Sequence, residues 1–465
     1  MKNLMRRTRR VIAPAAVVAG ILAMSACGLK DRLLEPQTPQ VISPSNVQNA
    51  DGADALYVGA IGDLADALNG GNNNQEQLWE WEGLMTDEFK SGDTFSQRND
   101  DDQRVTVSND GVMRRVYQHQ QQSRGRARDA INALTEFEPD AHAKIAEMYL
   151  MMGFLEMSLS QDWCNGVPYG ETVDGVPQYT NPLTNADGFK LAIARFDTAL
   201  TLLGSASDKQ STSVRNAVLI AKGRAQVDLG QFSAAAATVA PVPVDYQYLL
   251  TYSIPTNSNE WWEMQPNTLR YTVGDSVDKT GIVKNSIPFA SANDPRVPIL
   301  VGKESVGESD VSFDGKTPYF ESELYTGRED PIPMVSGLDG QLVQAEADLN
   351  KPDIPAMMKI LNDLRATPPM LGNYQPAAMA PLATPATQDA AVSLFFREKA
   401  FWQFERGERL SDMRRLMRQY GRTEDEVFPT GPFFKNGAYG HNVNIPIPDR
   451  EQNNPNFKGC MDRKA

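Results

Sequence analysis

Hydrophobic residues recur at helical spacing along most of the chain. Ser45 and Gln48 form a capping-box pattern, and apolar residues follow at intervals of three and four up to Leu68. The run "NGGNNN" then ends this helix. The same periodicity predicts helices over residues 112–136, 140–161, 187–203, 212–229, 232–239, 340–350, 353–366 and 388–419. The pattern therefore predicts a mainly α fold.

Several of the predicted helices form pairs with a tight break between them. Residues 213–240 contain a Leu229-Gly230 turn between two Ala-rich helices, and residues 340–366 repeat this plan with Pro352 at the break. The pairs resemble tetratricopeptide-type helical hairpins, in which small residues let two helices approach closely. Because the spacing between pairs is not constant, we expect them to be embedded in one domain rather than to form a regular solenoid.

Two segments lack this periodicity. Residues 240–335 hold many Pro, Gly, Trp and Tyr residues, and residues 162–186 have the same character. A connection of that length usually performs a function or contains small strands of its own. We therefore expect long irregular loops with a few short strands, and residues 240–335 are predicted to be a ligand-binding insertion. No shift in composition marks a second domain, so residues 45–465 are interpreted as a single domain.

The first 26 residues have the organisation of an export signal. A basic start precedes an apolar run from Val11 to Met24, which is shorter than the roughly 20 residues of a membrane-spanning helix. The ending "MSAC" resembles a bacterial lipoprotein box and predicts lipid attachment at Cys27, the alternative being an ordinary secretory signal. The polar, Pro-containing residues 27–44 would then be a tether between the lipid and the folded domain.

The charge balance excludes one class of partner, and the cysteines suggest one covalent link. The chain has 45 basic and 59 acidic residues, and removal of the signal takes away five basic residues, leaving a formal charge of about −19. Such an acidic body repels nucleic acid, so we expect no nucleic-acid partner. With Cys27 lipidated, Cys164 and Cys460 remain, and in an oxidising compartment they are predicted to form a disulfide; the alternative is two free buried thiols.

The sequence contains few of the motifs that mark catalytic sites. The three histidines are scattered, and the chain has no Cys-x-x-Cys pair, nucleophile elbow or phosphate loop, so we expect no metal, no cofactor and no catalytic triad. A pair of carboxylates for glycoside cleavage is left open, since such acids are defined by their separation in space. The run Asp100, Asp101 and Asp102 lacks the spacing of a calcium loop and is interpreted as a solvated loop.

Aromatic residues outside the predicted helices are the candidates for ligand contact. A rigid ring offers a flat apolar platform to the C–H face of a sugar, and polar neighbours can bind the hydroxyl groups. As a set in loops these rings support a binding surface, although each alone is more often a core residue. The candidates are Trp79, Trp81, Trp261, Trp262 and Tyr271.

The run "REKAFWQFERGERLSDMRRLMR" at 397–418 holds seven basic and four acidic residues on the predicted 388–419 helix. Glu405 with Arg409, and Asp412 with Arg415, are helical neighbours of opposite charge. We therefore predict an architectural role for these arginines, which pair with carboxylates and brace neighbouring loops, in preference to ligand contact.

The order of these features resembles the SusD/RagB family of outer-membrane lipoproteins. The resemblance runs over nearly the whole chain after Cys27: "GADALYVGAIGDL", "LMTDEF", "NGVPYGET", "SANDPRVPIL", "REKAFWQFERGERLSDMRR" and the late "NIPIPDREQNNPN". The last two, with their Arg-x-x-Asp-x-Arg-like run and Pro-x-Pro segment, are the most specific. The lipoprotein box with Met24, the two extra cysteines and the divergent middle region depart from the family pattern.

The resemblance implies a SusD-like helical fold and a non-enzymatic protein on the outer membrane, anchored by lipid and facing outside. It implies binding of oligosaccharides, or of peptides in some branches, and delivery to a TonB-dependent transporter barrel of the SusC type. No ligand-binding residue follows from the resemblance, so the aromatic candidates rest on their chemistry alone. A carboxylate-dependent glycoside hydrolase and a helical-repeat adaptor remain the alternatives.

Overall fold

Helices predicted from the hydrophobic pattern form the body of the molecule. The computed structural model describes residues 49–71, 76–173 and 176–465. The helices are α1 (Ala50–Asn69), α2 (Leu78–Met85), α3 (Ser96–Asp102), α4 (Gly111–Phe137), α5 (His142–Asp162), α6 (Asn185–Leu203), α7 (Lys209–Asp228), α8 (Phe232–Val239), α9 (Glu260–Trp262), α10 (Gly337–Asn350), α11 (Ile354–Ala366), α12 (Gln388–Trp402), α13 (Arg409–Tyr420) and α14 (Glu424–Val427). The predicted mainly α class is confirmed. None of the described helices has the length and hydropathy of a membrane span.

Helices that follow one another in the chain pack side by side. The order of contact is α1 with α4, then α4 with α5, α5 with α6, α6 with α7 and α7 with α8, after which α10 packs on both α8 and α11. Small residues permit the close approach, since a Cβ added at Gly153 of α5 would lie 2.7 Å from the Phe196 ring of α6. Gly230, with φ of 72°, makes the turn between α7 and α8 that the sequence predicts.

The strands are short and pair two by two. Among the described residues, seven two-stranded antiparallel sheets are formed. The strands are β1 (Gly70–Gly71), β2 (Phe89–Ser91), β3 (Val167–Pro168), β4 (Glu171–Val173), β5 (Val176–Gln178), β6 (Pro182–Leu183), β7 (Gln247–Leu250), β8 (Ser258–Asn259), β9 (Tyr271–Val273), β10 (Val277–Asp278), β11 (Gly281–Ile282), β12 (Ile299–Leu300), β13 (Glu321–Ser322) and β14 (Ile332–Ser336). Most of them lie in the two segments predicted to be irregular with small strands.

The predicted 388–419 helix is wrong in one respect, because it is two helices. Between α12 and α13 the backbone leaves the helical conformation, with φ of 64° at Glu405 and 60° at Gly407. A Cβ at Gly407 would lie 1.9 Å from Cδ1 of Trp79, so only glycine fits this close approach. The break is thus set by packing against α2.

The arginines around this break have the predicted architectural role. Arg406 makes a bidentate pair with the buried carboxylate of Asp339, and Arg415 pairs with Asp412 at 2.9 Å. Glu405, however, is not a helical neighbour of Arg409. Its carboxylate lies buried at the break and accepts hydrogen bonds from Gln265 and Ser322.

Cys164 and Cys460 are joined by a disulfide, with their Cα atoms 5.8 Å apart. Backbone hydrogen bonds flank it: the amide of Cys164 donates to the carbonyl of Ile445 at 2.8 Å, and that of Met461 donates to the carbonyl of Asn165 at 2.7 Å. The late segment 445–461 is thereby fastened to the end of α5.

Some predictions fall on residues that are not described. The signal of residues 1–26, the lipid site at Cys27, the tether of residues 27–44 and the Ser45/Gln48 capping box all lie outside the described residues. Asn49 caps α1 instead, where its side chain accepts a hydrogen bond from the amide of Gly52.

Candidate functional site

Four of the five aromatic candidates are buried in the core, so the prediction that they form a ligand surface is wrong. The exposed fraction is 2% for Trp79 and 0% for Trp81, Trp261 and Tyr271. A ring enclosed by protein has no face left for a sugar. Trp262 differs, because it is half-buried, with the Arg328 guanidinium 4.8 Å from its ring centroid.

These rings are buried because the irregular region builds a core of its own. Trp261 stacks on Phe89 with 4.7 Å between ring centroids and meets Tyr271 edge-on at 6.4 Å. The indole Nε1 of Trp261 donates to the carbonyl of Glu405 at 3.1 Å, so its polar atom is also satisfied inside. The segment 240–335 therefore packs against β2 and the α12–α13 break.

The acidic run Asp100–Asp102 is also more buried than expected. Asp101 and Asp102 lie in α3 and are 0% and 1% exposed, so the prediction of a solvated loop is wrong for them. Asp102 accepts a hydrogen bond from the amide of Ser91, and Asp101 accepts one from Thr106. Burial raises the pKa of Asp102 to about 8. Nowhere in the described chain do three His, Cys, Asp or Glu side chains form a group suited to a metal ion.

Two phenylalanines near this core are exposed instead. Phe95 is 40% and Phe313 is 50% exposed, although both belong to the largest apolar side-chain types. Each carries an arginine on its ring: the guanidinium carbon of Arg98 lies 5.2 Å from the Phe95 centroid, and that of Arg270 lies 4.2 Å from the Phe313 centroid. We call Phe95, Phe313, Arg98, Arg270 and Asp93 the two-phenylalanine surface.

Strand pairing brings these residues together. β2 and β9 pair with Ser91 opposite Tyr271, so the residues that follow β2 lie beside Arg270, which precedes β9. The amide of Gly92 donates to the carbonyl of Arg270, and the amide of Phe313 donates to the carbonyl of Leu269, each at 2.8 Å. Phe95 stands at the N-cap of α3. Three separate segments are therefore fixed by backbone bonds around one site.

One carboxylate joins both arginines. Asp93 Oδ2 accepts from Arg270 at 2.7 Å and also from Arg98, while Oδ1 accepts from the amides of Thr94 and Phe95. Burial would raise the pKa of Asp93, but the hydrogen bonds and charges of the two arginines outweigh it, so the pKa is lowered. The carboxylate is ionised near neutral pH and holds both guanidinium groups in place.

This arrangement can present two flat apolar rings with fixed polar groups between them. A ring backed by a guanidinium is held rigidly, and the entropy lost on binding is correspondingly small. A sugar offers apolar C–H faces, which match the exposed rings, and hydroxyl groups, for which the half-buried Arg270 guanidinium is the accessible ionic group. The exposed hydroxyl-bearing residues Thr94 and Ser96 flank Phe95 and add hydrogen-bonding capacity.

Phe95 and Phe313 are absent from the candidates predicted from the sequence, which are all tryptophan or tyrosine. A usable signal was present in their neighbours. Phe95 lies in "GDTFSQ" and Phe313 in "DVSFDGK", with small or polar residues on both sides, whereas Trp81 and Trp261 stand close to Leu, Met or a second Trp.

Comparison with solved structures identifies the architecture. A SusD-like carbohydrate-binding protein from Bacteroides fragilis NCTC 9343 superposes with a TM-score of 0.63, over 88% of this chain and 99% of its own. The chain has the SusD-like fold. A second SusD-like protein from the same strain gives a TM-score of 0.62 over 90% of this chain and 98% of its own. A SusD-like carbohydrate-binding protein from Bacteroides vulgatus ATCC 8482 gives 0.60 over 88% and 97%.

The SusD-like fold is thus confirmed at low sequence identity. The three structures share 14%, 11% and 13% of their residues with this chain. Neither a protein-family model nor a curated protein matches the sequence. The likeness consequently lies in the fold.

Proposed function

We propose that this protein is a non-enzymatic outer-membrane lipoprotein that binds oligosaccharides and delivers them to a SusC-type TonB-dependent transporter. Cys27 would carry the lipid, and the two-phenylalanine surface would bind the sugar. The observation that carries the binding proposal is the pair of exposed phenylalanine rings held around Asp93. Solved proteins of the same fold described as SusD-like carbohydrate-binding proteins support the choice of ligand class.

The burial pattern supports a fixed binding face on a rigid body. Phe95 and Phe313 are exposed, whereas Asp93 and Arg98 are buried, at 1% and 4% exposure, and Arg270 is half-buried. Rigid positioning suits a protein that must bind a ligand and release it unchanged, because little reorganisation accompanies either step.

The direct test is glycan binding by Phe95→Ala and Phe313→Ala. We expect each change to weaken binding by on the order of 1–2 kcal/mol, roughly five- to thirty-fold, because a stacking platform is removed. The measurement is a glycan array followed by calorimetry on the bound oligosaccharide. Since both rings are partly exposed, the melting temperature should change by only a few degrees.

Ile282→Ala is the matched control, because Ile282 is 83% exposed and lies outside the two-phenylalanine surface. This change should leave affinity unchanged. Equal affinity of the wild type and both phenylalanine variants would reject this surface as the sugar site. If the protein binds peptides and not glycans, the ligand class is peptide and not oligosaccharide. Sustained release of shorter sugars by pure protein would favour a hydrolase.

Co-purification tests the proposed partner and location. Full-length protein isolated from outer membranes should retain a large β-barrel transporter, and Cys27→Ala should lose membrane attachment. Protease added to intact cells should cleave the wild type if it faces outside. A protein that purifies alone from the membrane would argue against the transporter partnership.

A further inference from the structure

A separate polar cleft lies between α4, the β4–β5 hairpin and residues 451–454. Its volume is about 560 Å³, within the range of small-molecule sites. None of the residues of the two-phenylalanine surface lines it. We call it the glutamine cleft after the side chains of its main wall.

One face of α4 forms that wall. Gln118, Gln121, Gln122 and Gly125 follow at positions i, i+3, i+4 and i+7, so they share one side of the helix. Gln121 is fixed, since its amide nitrogen donates to the carbonyl of Pro168 at 3.0 Å and its oxygen accepts from Arg124 at 3.2 Å. Within the described ranges, the exposed side-chain amides of Gln118 and Gln122 have no hydrogen-bond partner.

The opposite wall carries an exposed ring. Tyr179 is 50% exposed and directly follows β5, which pairs with β4 through Gln178 opposite Glu171. Asn454 is buried, and its side-chain nitrogen donates to the carbonyl of Thr180 at 3.2 Å. The late 451–454 segment therefore holds the backbone next to Tyr179 in place.

Each of the three arginines that line the cleft is paired with an acid. Arg124 lies 3.6 Å from Glu156, Arg128 lies 2.9 Å from Asp129, and Arg126 lies 3.5 Å from Asp63. An anionic ligand would have to compete with each of these acids. The groups that remain available are the Glu451 carboxyl, which no arginine or lysine of the described chain pairs, and the amides, which both donate and accept, as the hydroxyl groups of a neutral sugar require.

Gly125 leaves room at the middle of this wall. Its backbone is helical, and a Cβ placed there would meet no atom within 4 Å. Glycine is among the poorest helix formers, so helix stability does not explain a glycine at position 125. Close packing does not explain it either, since no atom lies near the added Cβ. The open space lies between the glutamine amides and the hairpin that carries Tyr179.

We infer that the glutamine cleft is a second binding site for a neutral oligosaccharide, with Tyr179 as its platform and the α4 amides as its hydrogen-bonding wall. This rests on the proposed function, because the same class of ligand would occupy both places. A protein with two such sites can hold a longer chain at two points or two chains at once, which raises retention by effective concentration.

The test uses the full chain with Phe95→Ala and Phe313→Ala combined, so that only the cleft remains. The probes are malto-, cello-, xylo- and mannohexaose as neutral oligosaccharides, and a hexagalacturonate as the acidic one. Gly125→Leu fills the cleft. Gly59→Leu is its matched control, because Gly59 of α1 also has no atom within 4 Å of an added Cβ. Tyr179→Ala removes the platform.

We expect residual binding of a neutral probe in the double variant. Gly125→Leu or Tyr179→Ala should weaken it at least tenfold, and Gly59→Leu should leave it within twofold. Absence of residual binding, or residual binding that Gly125→Leu leaves unchanged, would overturn the cleft site while the proposed function stands. Preference for the acidic probe would overturn the ligand class, and failure of the wild type to bind any probe would reject both proposals.

Discussion

Replacement of Arg406 by Met should show how strongly the fold depends on its buried ion pairs. Arg406 is 2% exposed and donates three hydrogen bonds, one to the carbonyl of Pro333 at 3.0 Å and two to Asp339 at 2.9 and 2.7 Å. Methionine has a similar length and no charge. The variant therefore leaves the Asp339 carboxylate buried without its counter-charge.

The loss of stability in Arg406→Met depends on which contacts the Asp339 carboxylate keeps. Its oxygens would still accept hydrogen bonds from the amide of Ser336 at 2.7 Å and from Gln403 at 2.9 Å, but no cation would remain in hydrogen-bond contact. Removing one partner of a buried pair costs about 3–5 kcal/mol. We expect Arg406→Met to lose about that much free energy of unfolding at pH 7, measured by urea denaturation.

The free energy of unfolding lost in Arg406→Met should depend on pH in a defined direction. Burial opposes ionisation of Asp339, but the charge and hydrogen bonds of Arg406 outweigh it and lower the pKa to about 2. In the wild type, this contribution is present above pH 4 and is lost as the pH falls through 2. The variant lacks it, so the difference between the two proteins should shrink on acidification below pH 4.

An exposed pair supplies the control. Lys359 and Asp363 lie 2.6 Å apart on α11, with side chains 75% and 65% exposed, so Lys359→Met should cost less than about 0.5 kcal/mol. A double-mutant cycle of Arg406→Met with Asp339→Asn should show strong coupling. A loss below about 1 kcal/mol for Arg406→Met, or additive losses in the cycle, would refute the reasoning.

Two further changes test other parts of the fold. Replacing Cys164 and Cys460 together by Ala should lower the free energy of unfolding by about 2–5 kcal/mol, because the disulfide restricts the unfolded chain; an unchanged urea midpoint would contradict this. Burial raises the pKa of both Glu88 and Glu405 to about 8, so their protonated forms stabilise the native state fully below pH 4.5 and this contribution is lost as the pH rises through 8. The urea concentration at the unfolding midpoint should therefore decrease as the pH is raised from 5 to 8. A steady increase of the midpoint over that window would disprove the assignment.

The helices could be predicted because the spacing of apolar residues that defines a helix is a property of neighbouring positions in the sequence. The prediction of residues 232–239 coincides with α8 (Phe232–Val239), and that of 140–161 differs from α5 (His142–Asp162) by two residues or fewer at each end. The α12–α13 break escaped prediction, since "QFERGER" carries a helical pattern and only the approach of Trp79 to Gly407 requires the break. That approach depends on residues more than 300 positions apart in the sequence.

The candidate site was less predictable for a related reason. Aromatic residues in an irregular segment are ligand contacts or the core of that segment, and composition does not separate the two. Trp261 and Tyr271 form the core with Phe89, which lies far from them in the sequence. The pairing of β2 with β9 leaves Phe95 and Phe313 outside, and this pairing is a tertiary feature without a local signal.

Because residues 445–461 are fastened to the end of α5, assembly of the helix pairs and closure of the fold occur at different times. Cys460 follows Cys164 by 296 residues, so it is the later of the two to emerge, either from the ribosome or on the far side of a membrane that the chain crosses. Until then Trp163 and Cys164, both fully buried in the finished fold, lack their late partners. The helix pairs contact near neighbours in sequence and can assemble during that interval, whereas closure of the fold must wait for the late segment.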